Sequence, residues 1–183
     1  MMGDRLPSIG EITGFWREAG PDAWFAKDEA FDRRFTERFA AAHFAAARRD
    51  LDGWLETAEG ALALMILLDQ YPRNAFRGTA HMYATDPLAL AFARRADALG
   101  HDGRIEGALR VFLYLPYSHS ENPSDQERAV ELNRRIGAPY LDHAIGHRDI
   151  VARFGRFPHR NALLGRVTTP EERAFLDSGG FAG

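Results

Sequence analysis

Three clusters of polar side chains in this chain have the types and spacing that chemistry uses. The first is Tyr117-Ser118-His119-Ser120-Glu121-Asn122, in a break between two predicted helices. His119 and Glu121 there suit a proton-transfer group with its carboxylate partner, or two ligands of a metal ion. A turn network through Ser120 and Asn122 explains the same residues without chemistry. The second is His143 and His147, four apart and so on one helical face. Position 144 is alanine, so the glutamate of an HExxH zinc motif is missing, and two histidines alone make no metal site. The third is Arg153-Phe154-Gly155-Arg156-Phe157-Pro158-His159-Arg160-Asn161, whose guanidinium groups can converge on a small anion. Their other use is to satisfy helix-terminal carbonyls and carboxylates such as Asp69 or Glu121, because buried arginines without partners are costly.

The last cluster repeats an earlier phrase. Tyr71-Pro72-Arg73-Asn74-Ala75-Phe76-Arg77-Gly78 and Phe157-Pro158-His159-Arg160-Asn161-Ala162-Leu163-Leu164-Gly165 share an aromatic-proline pair and the string RNAxxG, with one additional residue in the second copy. Asp69 precedes the first copy at the carboxyl end of a helix, where the dipole disfavours an anion. It therefore needs a cation, with Arg73 and Arg77 nearest in sequence and Gln70 adding an amide. Asp69, Gln70, Asn74 and Ser120 are expected to be architectural or supporting. Ligand contacts are expected from Arg73, Arg77, Arg153, Arg156, His159, Arg160 and Asn161. The first copy reads as principally architectural, and the second as the stronger functional lead.

These groups must be positioned by helices, since strand-like alternation is scarce. Ser8 and Glu11 form a capping-box pattern ahead of Ile12, Phe15 and Trp16. A helix from Asp28 to about Arg49 carries Phe31, Phe35 and Phe39 on one face, a core stripe. Thr57 caps a third helix, expected to stop before Pro72. Asp86-Pro87 reads as N-cap and first turn of a helix closed by Gly100. Ile105 to about Tyr114 suits a short buried helix or a strand, with Pro116 as its terminator. Ser124 and Glu127 suggest a capping box for a helix to about Ile136. Pro139 opens another to about Phe154, and Thr169-Pro170-Glu171-Glu172 starts a short last one. The expected architecture is all-α, with seven or eight helices in a single domain over residues 1–183 and a frayed tail after about residue 178.

Composition narrows the function classes. At 183 residues the chain can bury a sizeable core without metal or disulfide. It has no cysteine, which removes thiol nucleophiles and thiolate metal sites. The net charge of -3 offers no general attraction to nucleic acid or anionic membrane, and no apolar run is long enough to span a bilayer. Of 23 basic residues only Lys27 is lysine, so planar guanidinium forks dominate. No phosphate-binding Walker A phrase, Rossmann glycine fingerprint or nucleophile elbow occurs. A cytoplasmic protein with no cofactor, no nucleic-acid partner and no membrane partner is expected. The arginine-rich patch also suits a contact between copies in a homo-oligomer.

Taken in order, the segments FWREAGPDAWFAKDEAFDRRF, LLDQYPRNAFRGTAHMYATD, LYLPYSHSEN and HRDIVARFGRFPHRNALLGRVTTPEERAFL resemble a bacterial family known as domain of unknown function 924. The resemblance spans nearly the whole chain. It falls on Asp69, Gln70, Pro72, Arg73, Asn74, Arg77 and Gly78, on His119, Ser120 and Glu121, and on His147, Arg148, Arg153, Gly155, Arg156, Pro158, His159, Arg160 and Asn161. His143 lies outside it. The resemblance implies a tetratricopeptide-like helical fold and transfers no catalytic role.

Three functional expectations follow. The leading one is an Arg/His-lined pocket for a small anionic metabolite or an acidic peptide end. The second is a hydrolase, metal-independent or metal-assisted, with His119 or His147 as general base and Glu121 orienting a histidine. The third is a tetratricopeptide-like protein-interaction module without chemistry.

Overall fold

The computed structural model describes residues 5–181, and among them the regular elements are all helical. Local chemistry sets the first starts. Helix α1 (Ile9–Ala19) opens with the capping box: the Ser8 hydroxyl accepts from the Glu11 amide, and the Glu11 carboxylate accepts from the Ser8 amide at 2.7 Å. Gly20 then turns the chain into the short α2 (Pro21–Trp24). Asp28 caps α3 (Glu29–Ala47) through the amides of Ala30 and Phe31. The stripe Phe31, Phe35 and Phe39 is buried against Phe15 of α1, with ring centroids 5.3 to 5.6 Å apart, and Trp16 packs on Phe31 and Phe35 from the same helix.

Helix α4 (Ala58–Met65), capped by Thr57, is apolar on every side beyond Glu59 in its first turn and lies between α1, α6 and α7. A helix with no polar face belongs in the middle of a domain, and Ala61 through Leu68 are fully buried. Contrary to the sequence-based expectation, the chain does not stop before Pro72. It passes through a π-helical turn, Ile66–Gln70, directly into α5 (Tyr71–Ala75). Pro72 has no amide to offer the carbonyl four residues back, and its ring crowds that position. The carbonyls set free are taken by side chains from elsewhere: His43 binds Leu67 O at 2.8 Å, Thr85 Oγ1 donates to Leu68 O at 2.5 Å, and Arg73 donates to Asp69 O at 2.8 Å. With these partners the helix survives as a π-turn, a distortion common where side chains must be re-aimed. Asp69 sits in that turn.

Helix α6 (Asp86–Ala98) has Thr85 as its cap residue, with Asp86 and Pro87 inside the first turn, and Gly100 closes it with a left-handed φ of 65°. The apolar segment after it is helical, a 3-10 turn at Gly107–Arg110 running into α7 (Val111–Ser118). Pro116 lies inside α7 and does not end it; the carbonyls beyond it, of Ser118 and Ser120, accept from the Gln126 amide at 2.8 and 2.5 Å, which satisfies the helix end. Asn122 and Pro123 begin α8 (Pro123–Asn133). The Asn122 side chain accepts from the Ser124 amide, so Ser124 belongs to the first turn and caps nothing. Helix α9 (Tyr140–Phe154) packs on α8 and α7 and ends at Gly155, φ 71°. Thr169 and Glu172 form the expected capping box of α10 (Pro170–Asp177). None of these helices is long and apolar enough to cross a membrane.

Candidate functional site

The π-turn, the start of α6, the end of α7, the middle of α9 and the 3-10 turn Pro158–Arg160 meet at one place. Asp69, 1% exposed, anchors it. Its Oδ1 lies 2.7 Å from His119 Nδ1 and 3.5 Å from Arg73 Nη1, while Oδ2 accepts from the Gln70 amide at 2.6 Å. Burial alone would raise the pKa of Asp69, but the Arg73 charge and then His119 more than offset it and hold the carboxylate ionised. For His119 burial dominates, reinforced by Arg73, so its pKa falls and the ring is neutral. A neutral ring beside a carboxylate donates its Nδ1 proton, leaving Nε2 as a lone-pair nitrogen.

Arg73 carries more than Asp69. It grips Asp86 with two bonds of 2.8 and 3.0 Å, so both acids beside the turn are served by one guanidinium. Asp86 is also the nearest carboxylate to Arg160, whose Nη1 is 3.7 Å away. Arg160 is 7% exposed and its guanidinium lies against Phe157 at 4.6 Å and Tyr83 at 4.7 Å. Among the described residues that guanidinium donates no hydrogen bond, and its Nε is buried without a partner. Burial, unlike for Arg73, lowers its pKa overall.

Histidines line the rest. His147 stands 6.4 Å from His119, ring to ring, and donates from Nδ1 to the His143 carbonyl at 2.7 Å. His143 therefore contributes its backbone, not a second imidazole. Phe157 lies 5.5 Å from His147 and 5.7 Å from His159, and Phe181 lies 4.7 and 5.1 Å from the same two rings. Burial lowers the pKa of His147 to about 4, and burial with the Arg160 charge lowers that of His159 to about 3. The site thus presents neutral imidazoles beside one under-bonded cation.

Other residues singled out in the sequence have partners elsewhere. Glu121 orients no histidine: it binds Arg166 at 2.7 and 3.0 Å and accepts the Phe157 amide at 2.8 Å, tying the second phrase to the loop after α7. Ser120 donates to Asp125 at 2.7 Å. Arg77 and Asn74 both bind Asp32 on α3, at 2.8 and 2.6 Å, beside an open groove of about 450 Å³. Arg153 pairs with Glu171, and Arg156 with Glu172 at 2.6 and 2.9 Å, beside another groove of about 410 Å³. Asn161, fully buried, donates to Glu172 at 3.1 Å. Among the described residues no three His, Asp or Glu side chains group as metal ligands. Tyr83, Asp86 and Phe181 belong to the site without having been marked for it. Asp86 read only as a helix start, and nothing local distinguishes Tyr83 or Phe181.

The family model for bacterial proteins of unknown function, DUF924, matches residues 12–180. The chain belongs to this family. A solved structure of a protein of unknown function from Agrobacterium tumefaciens is 63% identical, with 93% of this chain and 97% of that one covered at a TM-score of 0.92. No curated protein is significantly similar to it.

Proposed function

We propose that this DUF924 protein binds a small carboxylate- or phosphate-bearing ligand at Arg160, beside His119, His147 and His159. One observation carries the reading: a guanidinium that is buried and yet donates no hydrogen bond among the described residues. Aromatic rings at 4.6 and 4.7 Å attract the cation but do not replace the in-plane acceptor its Nε–H group lost on leaving water. A buried charge is costly unless it is well paired, and the acid nearest Arg160, Asp86 at 3.7 Å, is already held by Arg73. An anion meeting Arg160 recovers part of that cost through a bidentate, charge-assisted contact. His119 and His147 spend their Nδ1 protons on Asp69 and the His143 carbonyl, so their Nε2 atoms face the site as acceptors and suit a hydroxyl or protonated oxygen of the ligand, while the anionic oxygens go to Arg160.

Arg160→Met tests it, since methionine keeps apolar volume and removes every donor. Titration calorimetry with inorganic phosphate and with acetate should show binding to the native protein that falls about 10- to 100-fold in the variant, the range expected for losing a charge-assisted contact. Unchanged affinity in a folded variant would sink the assignment.

The contact between Asp69 and His119 favours a second reading, proton transfer at the same site. Asp69 fixes the Nδ1–H tautomer, so His119 Nε2 takes a proton from water or from the ligand and returns it to a leaving group. In that case Asp69→Asn and His119→Gln abolish turnover of a hydrolysable anionic ester while Arg160→Met mainly raises KM. Equal loss of kcat in all three would argue against separate roles.

A further inference from the structure

The chain beyond α10 does something its composition does not announce. Gly179 adopts φ 84°, and Gly180 passes so close to α10 that an added Cβ would meet the Phe175 ring and carbonyl at 2.6 Å. A side chain at position 180 would push this segment away. With glycine there, the Gly180 amide bonds Phe175 O at 3.0 Å and the next residue, Phe181, is delivered onto the histidines. Its ring meets His147 at 61° and His159 at 84°, both edge-to-face arrangements. Yet Phe181 is 40% exposed, unlike the fully buried Phe157 that lies against the same two histidines. A half-exposed aromatic lying on a site of partly buried polar rings is placed as an occupant is placed, not as core.

We propose that Phe181 fills the seat of an aromatic group on the ligand, and that the ligand class is an anion carrying an aryl or benzyl group. The inference rests on the anion reading for its charged half. Phe157 joins the two halves: one side chain touches Arg160 at 4.6 Å and both histidines of the aromatic seat. In the proposed complex an aryl carboxylate or aryl phosphate meets Arg160 while its ring takes the place of Phe181. Because Phe181 is tethered, it competes at high effective concentration, and the segment after α10 sets the threshold a ligand must exceed.

The test compares benzoate and phenyl phosphate with acetate and inorganic phosphate, and adds neutral benzyl alcohol, in the native protein and in Phe181→Ala. Calorimetry should show the aryl anions gaining about 3- to 10-fold in affinity in the variant, the worth of one or two edge-to-face contacts. Affinity for acetate and phosphate should not move. In the native protein, saturating benzoate should abolish the ring-current shifts that Phe181 imposes on the His147 and His159 ring protons. If the aryl anions weaken in Phe181→Ala, or gain no more than phosphate does, Phe181 is a wall of the site and the inference falls. Benzyl alcohol separates the two readings. Its binding to Phe181→Ala, with no anion binding to either protein, would leave the aromatic seat standing and remove Arg160 as an anchor. Anion binding at Arg160 with no preference for aryl groups would do the reverse.

Discussion

The two copies of the aromatic-proline phrase differ in what their arginines lack. In the first, Arg73 donates to Asp69 O and holds Asp86 with two bonds, Asn74 and Arg77 bind Asp32, and every cation has its acid. In the second, Asn161 is equally committed, to Glu172, but Arg160 reaches only toward Asp86 at 3.7 Å. The acid it faces is already taken by its counterpart. The additional residue in the second copy, His159, adds a neutral imidazole beside the unserved guanidinium. A repeated phrase has thus produced one clamp and one candidate binding group, and the difference lies in the partners supplied by the rest of the fold.

The comparison breaks most visibly at its two arginines. Arg73→Met strands the buried Asp69 and the half-buried Asp86 and is expected to lower stability by about 3–5 kcal/mol, the range for breaking a buried ion pair. Arg160→Met removes a cation that nothing compensates well, and is expected to shift stability by less than about 1 kcal/mol, in either direction. Urea unfolding of both variants measures the contrast. Equal losses would mean that Arg160 is as fully served as Arg73.

Acid should act next. In the unfolded chain a histidine takes its proton near pH 6.5, whereas folded His147 does so near pH 4 and folded His159 near pH 3. Between those limits the unfolded state holds more protons, so stability falls as pH falls from about 6.5, by at most about 1.4 kcal/mol per pH unit for each histidine. His159 faces Arg160, His147, His119 and Glu121, and of these only Glu121 favours its charged form. His43, under Tyr71 of the first phrase, is depressed by burial in the same direction. His159→Asn should flatten the slope between pH 6.5 and 5 by about one proton in unfolding titrations while leaving the His43 share in place. A slope that stays the same would show that His159 is solvated.

Much of the scaffold was legible because its signals are local. Ser8 with Glu11, Thr57, Asp28, and Thr169 with Glu172 act within three residues, and all four start helices where expected. Pro72 and Pro116 misled because the groups that serve the carbonyls around them come from far away in sequence. His43 and Thr85 serve the carbonyls ahead of Pro72, and Gln126 those after Pro116. The site shows the same divide. His119, His147, His159 and Arg160 stand out by residue type, but only the fold decides that they converge while Arg77, Arg153 and Arg156 are spent on acids elsewhere. Glu121 sits two residues from His119 and still belongs to Arg166. Tyr83 and Phe181 carry no local mark at all.

The asparagines sharpen the comparison further, because here the two copies play the same part at different depths. Asn161 is fully buried and its amide meets a carboxylate that also binds Arg156 and caps α10. Asn161→Ala is expected to cost about 1.5–3 kcal/mol, the range for a hydrogen bond to a charged group. Asn74→Ala, at a half-buried position, should cost about 1 kcal/mol. Neither should change phosphate affinity by more than about twofold unless the fold loosens, and a selective loss in Asn161→Ala would draw that residue into the site.

The smallest effect expected is that of Arg77→Ala. Its side chain is 39% exposed and its partner Asp32 keeps the Asn74 amide when Arg77 is gone. Exposed pairs contribute about 0–1 kcal/mol, since solvent screens the attraction and two long side chains lose freedom in holding it. A shift below about 1 kcal/mol in urea unfolding, with unchanged binding of phosphate, would show that the last arginine of the first phrase only fastens α5 to α3. A larger loss would mean that Asp32 cannot stay charged with Asn74 alone, and the clamp would then depend on Arg77 as the site is proposed to depend on Arg160.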